Sequence, residues 1–271
     1  MIKKIVVFLI LITTAEASMG QDKRTYLKDD AVPIIKFDSL SKDVYDLLIN
    51  YRLIMIGEIH GTNEPINLLD GLVSLLTKYG DSVQVGFEIP SEQMTTFLKQ
   101  PIDKNILKTT FFSKPSGDGR ASVAWYKKMA KINNNKKVKI FFFDNNIEQG
   151  GDRDSVMYLN IKSQIIEHSN WKTITISGGT HNRILPFNGQ KKIGNFLMMD
   201  KELNISESLC SLNHEFESGE TLWNEFKSKP TIYSKLGHDK YLLLFPKDIK
   251  EAYQGIFFTK YLTKSESAIG K

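Results

Sequence analysis

The sequence predicts an α/β fold in three layers, a mostly parallel sheet with helices on both faces. Three observations predict it. Four apolar runs, Leu53–Ile56, Val83–Phe87, Val138–Phe143 and Thr173–Ile176, are short and rich in β-branched and aromatic residues, the pattern of strands buried on both faces. Amphipathic helical patterns separate them, the alternation that builds parallel sheets with covering helices. The chain has 271 residues, which suffices for one large domain with a sizeable core.

Residues 1–17 stand apart. Lys3 and Lys4 precede a nearly apolar run from Ile5 to Thr14, too short to cross a bilayer. Ala15-Glu16-Ala17 offers the small residues that a signal peptidase needs. The reading is a signal peptide cleaved after Ala17; cleavage near Gly20 is an alternative, and an uncleaved anchor is the competing reading. No cysteine lies near this point for lipid attachment. Residues 18–271 then form a single exported α/β domain, periplasmic or secreted, with no stable membrane span and with its motif-bearing core at 50–200.

Formal net charge is +5, but the lysines are scattered among acids. Lys136-Lys137 and Lys191-Lys192 are only pairs. Without a basic stripe and interleaved aromatics the chain does not read as a nucleic-acid binder; a solvated lysine-rich surface accounts for the charge. The one cysteine, Cys210, cannot form an internal disulfide and reads as a buried structural thiol.

In chain order, Ser41 caps a helix carrying Val44, Leu47 and Leu48. The first strand, 53–57, leads to a helix at 65–78 with Ile66, Leu69, Leu72, Val73 and Leu76 on one face. Thr62 or Asn63 is its cap and Pro65 lies in its first turn, so its positive end should point back at the preceding turn. Tyr79-Gly80 ends it. The second strand closes at Pro90, and Ser91 starts a short helix with Met94, Phe97 and Leu98. Residues 100–118 read as a long loop. A helix from Arg120 to Ile132 carries Val123, Trp125, Tyr126 and Met129, and stops at Asn133-Asn134-Asn135. After the third strand, 138–144, Gly150-Gly151 leads to a helix at 152–168 whose apolar side is Met157, Leu159, Ile161, Ile165 and Ile166. The fourth strand begins at Thr173 and exits through Gly178-Gly179-Thr180-His181. Beyond it, Ile193–Met199 reads as a helix, Ile205–Phe216, Tyr241–Phe245 and Ile256–Tyr261 as strands that could extend the sheet in antiparallel fashion, and Thr221–Phe226 as a short helix.

Ligands of open α/β sheets sit outside the carboxyl ends of the strands. Here those ends carry Glu58 with His60, then Glu88, Asp144 and His181. Glu58 and His60 are two apart, so in a continued strand they point to one side. Two histidines with carboxylates could hold a divalent ion, zinc, manganese or iron, so Glu58, His60, Glu88 and His181 are candidate metal ligands. Without metal, Glu58 and His60 could activate water while His181 stabilises charge or protonates a leaving group. Arg153 could fork onto an anionic part of the substrate, and Asp154 could orient a histidine. Asp118-Gly119-Arg120 reads as a helix start, His168 as a surface residue, and His214 and His238 as non-catalytic. Ser177 lacks the nucleophile elbow of serine hydrolases, and Gly178-Gly179 has no further glycine or lysine for a nucleotide loop.

Gly57-Glu58-Ile59-His60-Gly61-Thr62-Asn63-Glu64 resembles the Gly-Glu-x-His-Gly signature of the erythromycin esterase/ChaN-like group, to which the TIKI/TraB proteins also belong. Val85–Pro90, Asp118–Ser122, Arg153–Met157 and Gly178–Arg183 resemble its later motifs, so the likeness spans roughly 50–200, with a weaker echo at Tyr253–Phe258. The resemblance implies a polar cleft at the carboxyl edge of the sheet, with Glu58, His60, Glu88 and His181 at its core and Arg153 and Asp154 beside it. It implies one of several activities: metal-dependent peptidase, metal-free lactone esterase, or haem or iron binding. The lipid-attachment cysteine common in ChaN-type proteins is missing. The expectation is an exported hydrolase of ester or amide bonds, metal-assisted or not, acting on a small-molecule or peptide substrate; the alternative is a haem- or iron-binding protein without turnover, its iron held by Tyr or His side chains.

Overall fold

The computed structural model describes residues 27–94, 111, 119–145 and 152–266. The leader, Phe97, Leu98, most of the 100–118 loop, Gly150-Gly151 and residues 267–271 lie outside the described residues. The strands are β1 (Val32–Pro33), β2 (Leu53–Glu58), β3 (Val83–Pro90), β4 (Val138–Asp144), β5 (Lys172–Gly178), β6 (Leu209–Glu220), β7 (Glu225–Phe226), β8 (Lys240–Leu244) and β9 (Gly255–Leu262). The helices are α1 (Lys42–Leu48), α2 (Glu64–Lys78), α3 (Val123–Asn133), α4 (Arg153–Glu167) and α5 (Ile193–Met199).

The strands form one mixed, mostly parallel sheet in the order β1-β8-β9-β6-β2-β5-β3-β4, with β7 paired to β6. β5 inserts between β2 and β3, parallel to both. Alternate residues of β2 face opposite layers. Ile54 and Ile56 pack with α1, α2 and α3 residues such as Leu48, Leu72 and Trp125. Leu53 and Met55 pack with Met157, Ile161 and Ile165 of α4 and with Ile193 and Leu197 of α5. The loops after β2 and β3 therefore lead to helices on one face, and those after β4 and β5 to helices on the other. Both sets of loops leave from the carboxyl edge, where open α/β sheets bind ligands. Among the described residues, no helix is long and apolar enough to cross a membrane.

Several elements differ from expectation. Leu159 and Ile166 are 54% and 50% exposed; at 100° per residue they lie opposite Met157, Ile161 and Ile165. β6 starts at Leu209 after a 3-10 turn at Ser206–Ser208. β6 joins β2 and β9 joins β6 in parallel, while the pairs β1–β8, β8–β9 and β6–β7 are antiparallel, so the later strands extend the sheet with both kinds of pairing. The segment expected as a helix at Thr221–Phe226 is a turn followed by β7. Thr221 Oγ1 accepts from the backbone N–H groups of Trp223 and Asn224, a local bond that competes with helix formation. α3 starts at Val123 because Ser122 caps it, accepting from Trp125 N at 3.2 Å. Ser41 and Asn63 occupy cap positions without a side-chain cap bond.

The first turn of α2 is tied to the chain's own exit from β9. Glu64, buried there, accepts from Thr263 N at 2.9 Å and from Thr263 Oγ1 at 2.5 Å. Asn63 N donates to Thr263 O at 3.0 Å. The exit of β9 covers this helix end, and the positive end of the dipole meets the protein's own carboxylate.

Candidate active site

Each of the central parallel strands brings a charged group to its carboxyl end. β2 supplies Glu58, whose Oε1 accepts from His60 Nδ1 at 3.0 Å. The turn after it needs Gly61, which has φ +82° and lies against Leu222 and Trp223; a side chain there would be strained and crowded. The Glu58 carboxylate is buried while His60 is 41% exposed along its side chain. With Nδ1–H committed to Glu58, Nε2 keeps its lone pair.

β3 supplies Glu88, the hub of the site. Its Oε1 accepts from Arg153 Nη2 at 2.7 Å and lies 3.7 Å from His181 Nε2. Its Oε2 accepts from Gly178 N at 2.7 Å and lies 3.1 Å from Arg120 Nη1. Arg120 Nη1 also donates to the Glu88 backbone carbonyl, and Arg120 Nε lies 3.7 Å from Glu58 Oε1. Burial alone would push the Glu88 carboxyl up; Arg120, the two histidines and the Gly178 N–H overcome it and hold the group below the ordinary carboxylate range.

β4 ends at Asp144, which Arg153 grips with two bonds, Nε to Oδ1 at 2.9 Å and Nη2 to Oδ2 at 2.7 Å. Arg153 therefore spends its fork on Asp144 and Glu88 rather than presenting it to a substrate anion. β5 leads into a 3-10 turn, Gly179–Asn182, that carries His181. His181 Nδ1 donates to Asp154 Oδ1 at 2.7 Å, and Asp154 Oδ2 accepts from Lys192 Nζ at 3.1 Å. Burial disfavours the Asp154 carboxylate, yet His181 and Lys192 hold its pKa below the ordinary range. The two imidazoles flank Gly178: a Cβ built there would lie 3.2 Å from His60 Nε2 and 3.6 Å from His181 Cδ2. Only glycine leaves that space open.

The fold thus brings together Glu58, His60, Glu88, Arg153, Asp154 and His181. It adds Arg120, Asp144 and Lys192, which sequence reasoning left out of the site. Arg120 lies in the Asp118–Ser122 stretch that resembles a family motif, but its residue pattern gave it no role in the site. It reads locally as a helix start, and only the tertiary structure turns it onto two carboxylates 30 and more residues away. Asp144 was visible as a strand end. Lys192 read as half of a surface lysine pair.

His60 balances opposing influences. Burial lowers its pKa, and the charge and hydrogen bond of Glu58 raise it; the outcome is above the ordinary histidine value. His214, away from this cluster, is buried, stacks on Phe257 at 4.6 Å and shares a 2.8 Å bond from Nε2 to Thr259 Oγ1. Burial pushes its pKa down to about 3. Cys210 is buried, and its thiol is pushed up by burial alone.

Glu58, His60 and Glu88 each offer a ligand atom within 4.8 Å of the others, so by distance this trio could hold a metal; His181 is not of that group. Charge argues against a divalent ion. Both carboxylates already face the Arg120 guanidinium, and Glu88 also binds Arg153. An added dication would meet that fixed positive charge at close range. Among the described residues, both imidazoles stand in an ion-pair network with Glu58, Glu88 and Asp154, and no residue is placed there as an iron ligand free of such a partner.

No family model and no curated protein matches the sequence. Solved structures do match it in shape. One is a protein from Bacillus cereus, 11% identical, with a TM-score of 0.67 over 92% of this chain and 99% of that one. A second is a succinoglycan biosynthesis protein, 10% identical, TM-score 0.65, covering 92% of this chain and 99% of that one. A third is an erythromycin esterase, EreC, in its open conformation, 10% identical, TM-score 0.55, covering 84% of this chain and 95% of that one. The fold of this chain is the one it shares with an erythromycin esterase, in keeping with the resemblance of its Gly57–Gly61 motif.

Proposed function

We propose that the protein hydrolyses ester or amide bonds of a small-molecule or peptide substrate by acid–base chemistry, without an obligatory metal. The observation that carries this reading is the pairing of two carboxylate-held histidines, His60 with Glu58 and His181 with Asp154, on either side of Gly178. Each carboxylate fixes its ring through Nδ1 and leaves Nε2 for proton transfer, that of His181 standing 3.7 Å from Glu88 Oε1. His60 Nε2 takes a proton from water as its oxygen attacks the carbonyl carbon. The bond to the leaving oxygen or nitrogen then breaks, and the protonated Nε2 of His181 supplies the proton that the leaving group needs; the proton taken by His60 returns to solvent or to His181. Arg120 and Arg153 hold Glu88 and keep the electrostatic frame rigid, so that little reorganisation is needed during reaction. The fold shared with an esterase is compatible with this chemistry, and the leader at 1–17 supports export.

The test is turnover of activated esters by the purified protein. Hydrolysis should disappear in His60→Ala and fall to a measurable residue in Glu58→Gln while circular dichroism stays unchanged, and should survive exhaustive chelation. A protein that binds substrate analogues but turns nothing over would sink the proposal.

A further inference from the structure

The two lysines of the Lys191-Lys192 pair take different partners. Lys192 turns inward onto Asp154, Nζ to Oδ2 at 3.1 Å, with its side chain 12% exposed. Lys191 stands in the wall of a cavity of about 560 Å³ lined by Asp152, Arg153, Asp154, Gln190, Lys191 and Phe196. Its ammonium lies 5.7 Å from the centre of the Phe196 ring, which stacks on Tyr158 at 5.3 Å. A two-residue turn at Asn188-Gly189, closed by backbone bonds of 2.9 and 3.0 Å between Phe187 and Gln190, holds this stretch in place.

The cavity shares two residues with the catalytic cluster. Asp154 Oδ1 accepts from His181 Nδ1 at 2.7 Å. Arg153 Nη2 reaches Glu88 Oε1 at 2.7 Å, and that oxygen lies 3.7 Å from His181 Nε2. A group seated in the cavity is thus one side chain away from the imidazole that protonates the leaving group.

The lining charges are not equally available. Arg153 is spent on Asp144 and Glu88, and Asp154 on His181 and Lys192. Asp152 caps α4, its Oδ1 accepting from Asp154 N at 3.2 Å. Lys191 is left over: among the described residues, no carboxylate forms an ion pair with it. One ammonium beside one amide, that of Gln190, matches a monoanion. A dianion such as a phosphate monoester would meet the oxygens of Asp152 and Asp154 with too little positive charge to offset them.

We propose that Lys191, Gln190 and Phe196 form a subsite beside His181 that binds a carboxylate of the substrate, with Phe196 covering the carbon chain behind it. The subsite deepens the hydrolase reading and rests on it: the substrate class is an ester or amide that carries a carboxylate a few carbon atoms from the scissile carbonyl.

The test compares the nitrophenyl monoester of adipic acid, whose acyl chain ends in a carboxylate, with the nitrophenyl ester of adipic acid monoamide, its neutral isostere, at constant ionic strength. Wild-type protein should favour the anionic ester in kcat/KM by about threefold to tenfold, the span from an exposed ion pair to a charge-assisted hydrogen bond. Lys191→Gln should bring the ratio close to one, Lys191→Glu should reverse it, and Lys191→Arg should keep the preference. The same ratio in wild type, Lys191→Gln and Lys191→Glu would overturn the subsite. Broadening of the methylene proton signals of adipic acid monoamide, a monoanion, on addition of the protein is the second readout. If the wild type cleaves neither ester, the hydrolase reading fails by itself, and the subsite stands or falls on whether this broadening is present in the wild type and lost in Lys191→Glu.

Discussion

Glu88 and Gly178 meet across neighbouring strands, the carboxylate of β3 accepting the last backbone N–H of β5 at 2.7 Å. That bond fixes the spacing of two strand ends and places the glycine between the histidines. The same carboxylate offsets Arg120 and Arg153. Glu88→Ala would leave both guanidiniums short of a partner in a buried setting. The expected loss is ~3–5 kcal/mol of unfolding free energy, read from the denaturant midpoint. Glu88→Gln keeps one acceptor and should lose less. An alanine variant as stable as wild type would show that the hub is dispensable.

Glu58 should set the acid limb of the pH–rate profile. Catalysis through His60 needs the neutral ring, so activity rises with pH as that ring loses its proton. Burial lowers this pKa but Glu58 raises it, and the result lies above the ordinary histidine value of 6.5. In Glu58→Gln the raising influence goes and burial remains, so the acid limb of any residual activity should move to lower pH. A limb that stays in place would assign it to another group.

Chelation should change neither stability nor turnover. The carboxylates that a divalent ion would need are already engaged by Arg120 and Arg153. Elemental analysis of wild type and of a His60→Ala/His181→Ala variant should return the same negligible metal content. Stoichiometric zinc, manganese or iron lost in the double variant would reverse the charge argument.

His214 should make the fold acid-sensitive in a defined window. Its folded-state pKa, about 3, lies below the unfolded value near 6.5. Between those values the unfolded chain binds a proton that the folded one refuses, so its contribution is complete above 6.5 and is lost as the pH falls towards 3. The slope is about 1.4 kcal/mol per pH unit for one proton. A His214→Gln variant, compared with wild type between pH 6.5 and 5, should lose this part of the pH dependence. Parallel curves for the two proteins would mean that His214 charges without penalty.

The sequence by itself determined the layers and the edge at which chemistry gathers. Runs such as Leu53–Ile56 and Thr173–Ile176 are buried strands because little but a doubly covered sheet hides so many consecutive apolar residues. The ionisable residues just past those runs, Glu58, His60, Glu88 and His181, had to emerge at one edge once the strands were parallel. Periodicity failed where local bonds or helix phase decided: Thr221 ties a turn that composition reads as helix, and Leu159 and Ile166 fall on the solvent side of α4. The tertiary structure alone decided who meets whom. Strand order is set by crossover connections and long-range packing, which leave no trace in a short window of residues. It inserts β5 between β2 and β3 and so puts His181 beside His60. It also draws Arg120 out of an ordinary helix start to face two buried carboxylates, since charges brought out of water seek a counter-charge wherever the fold supplies one.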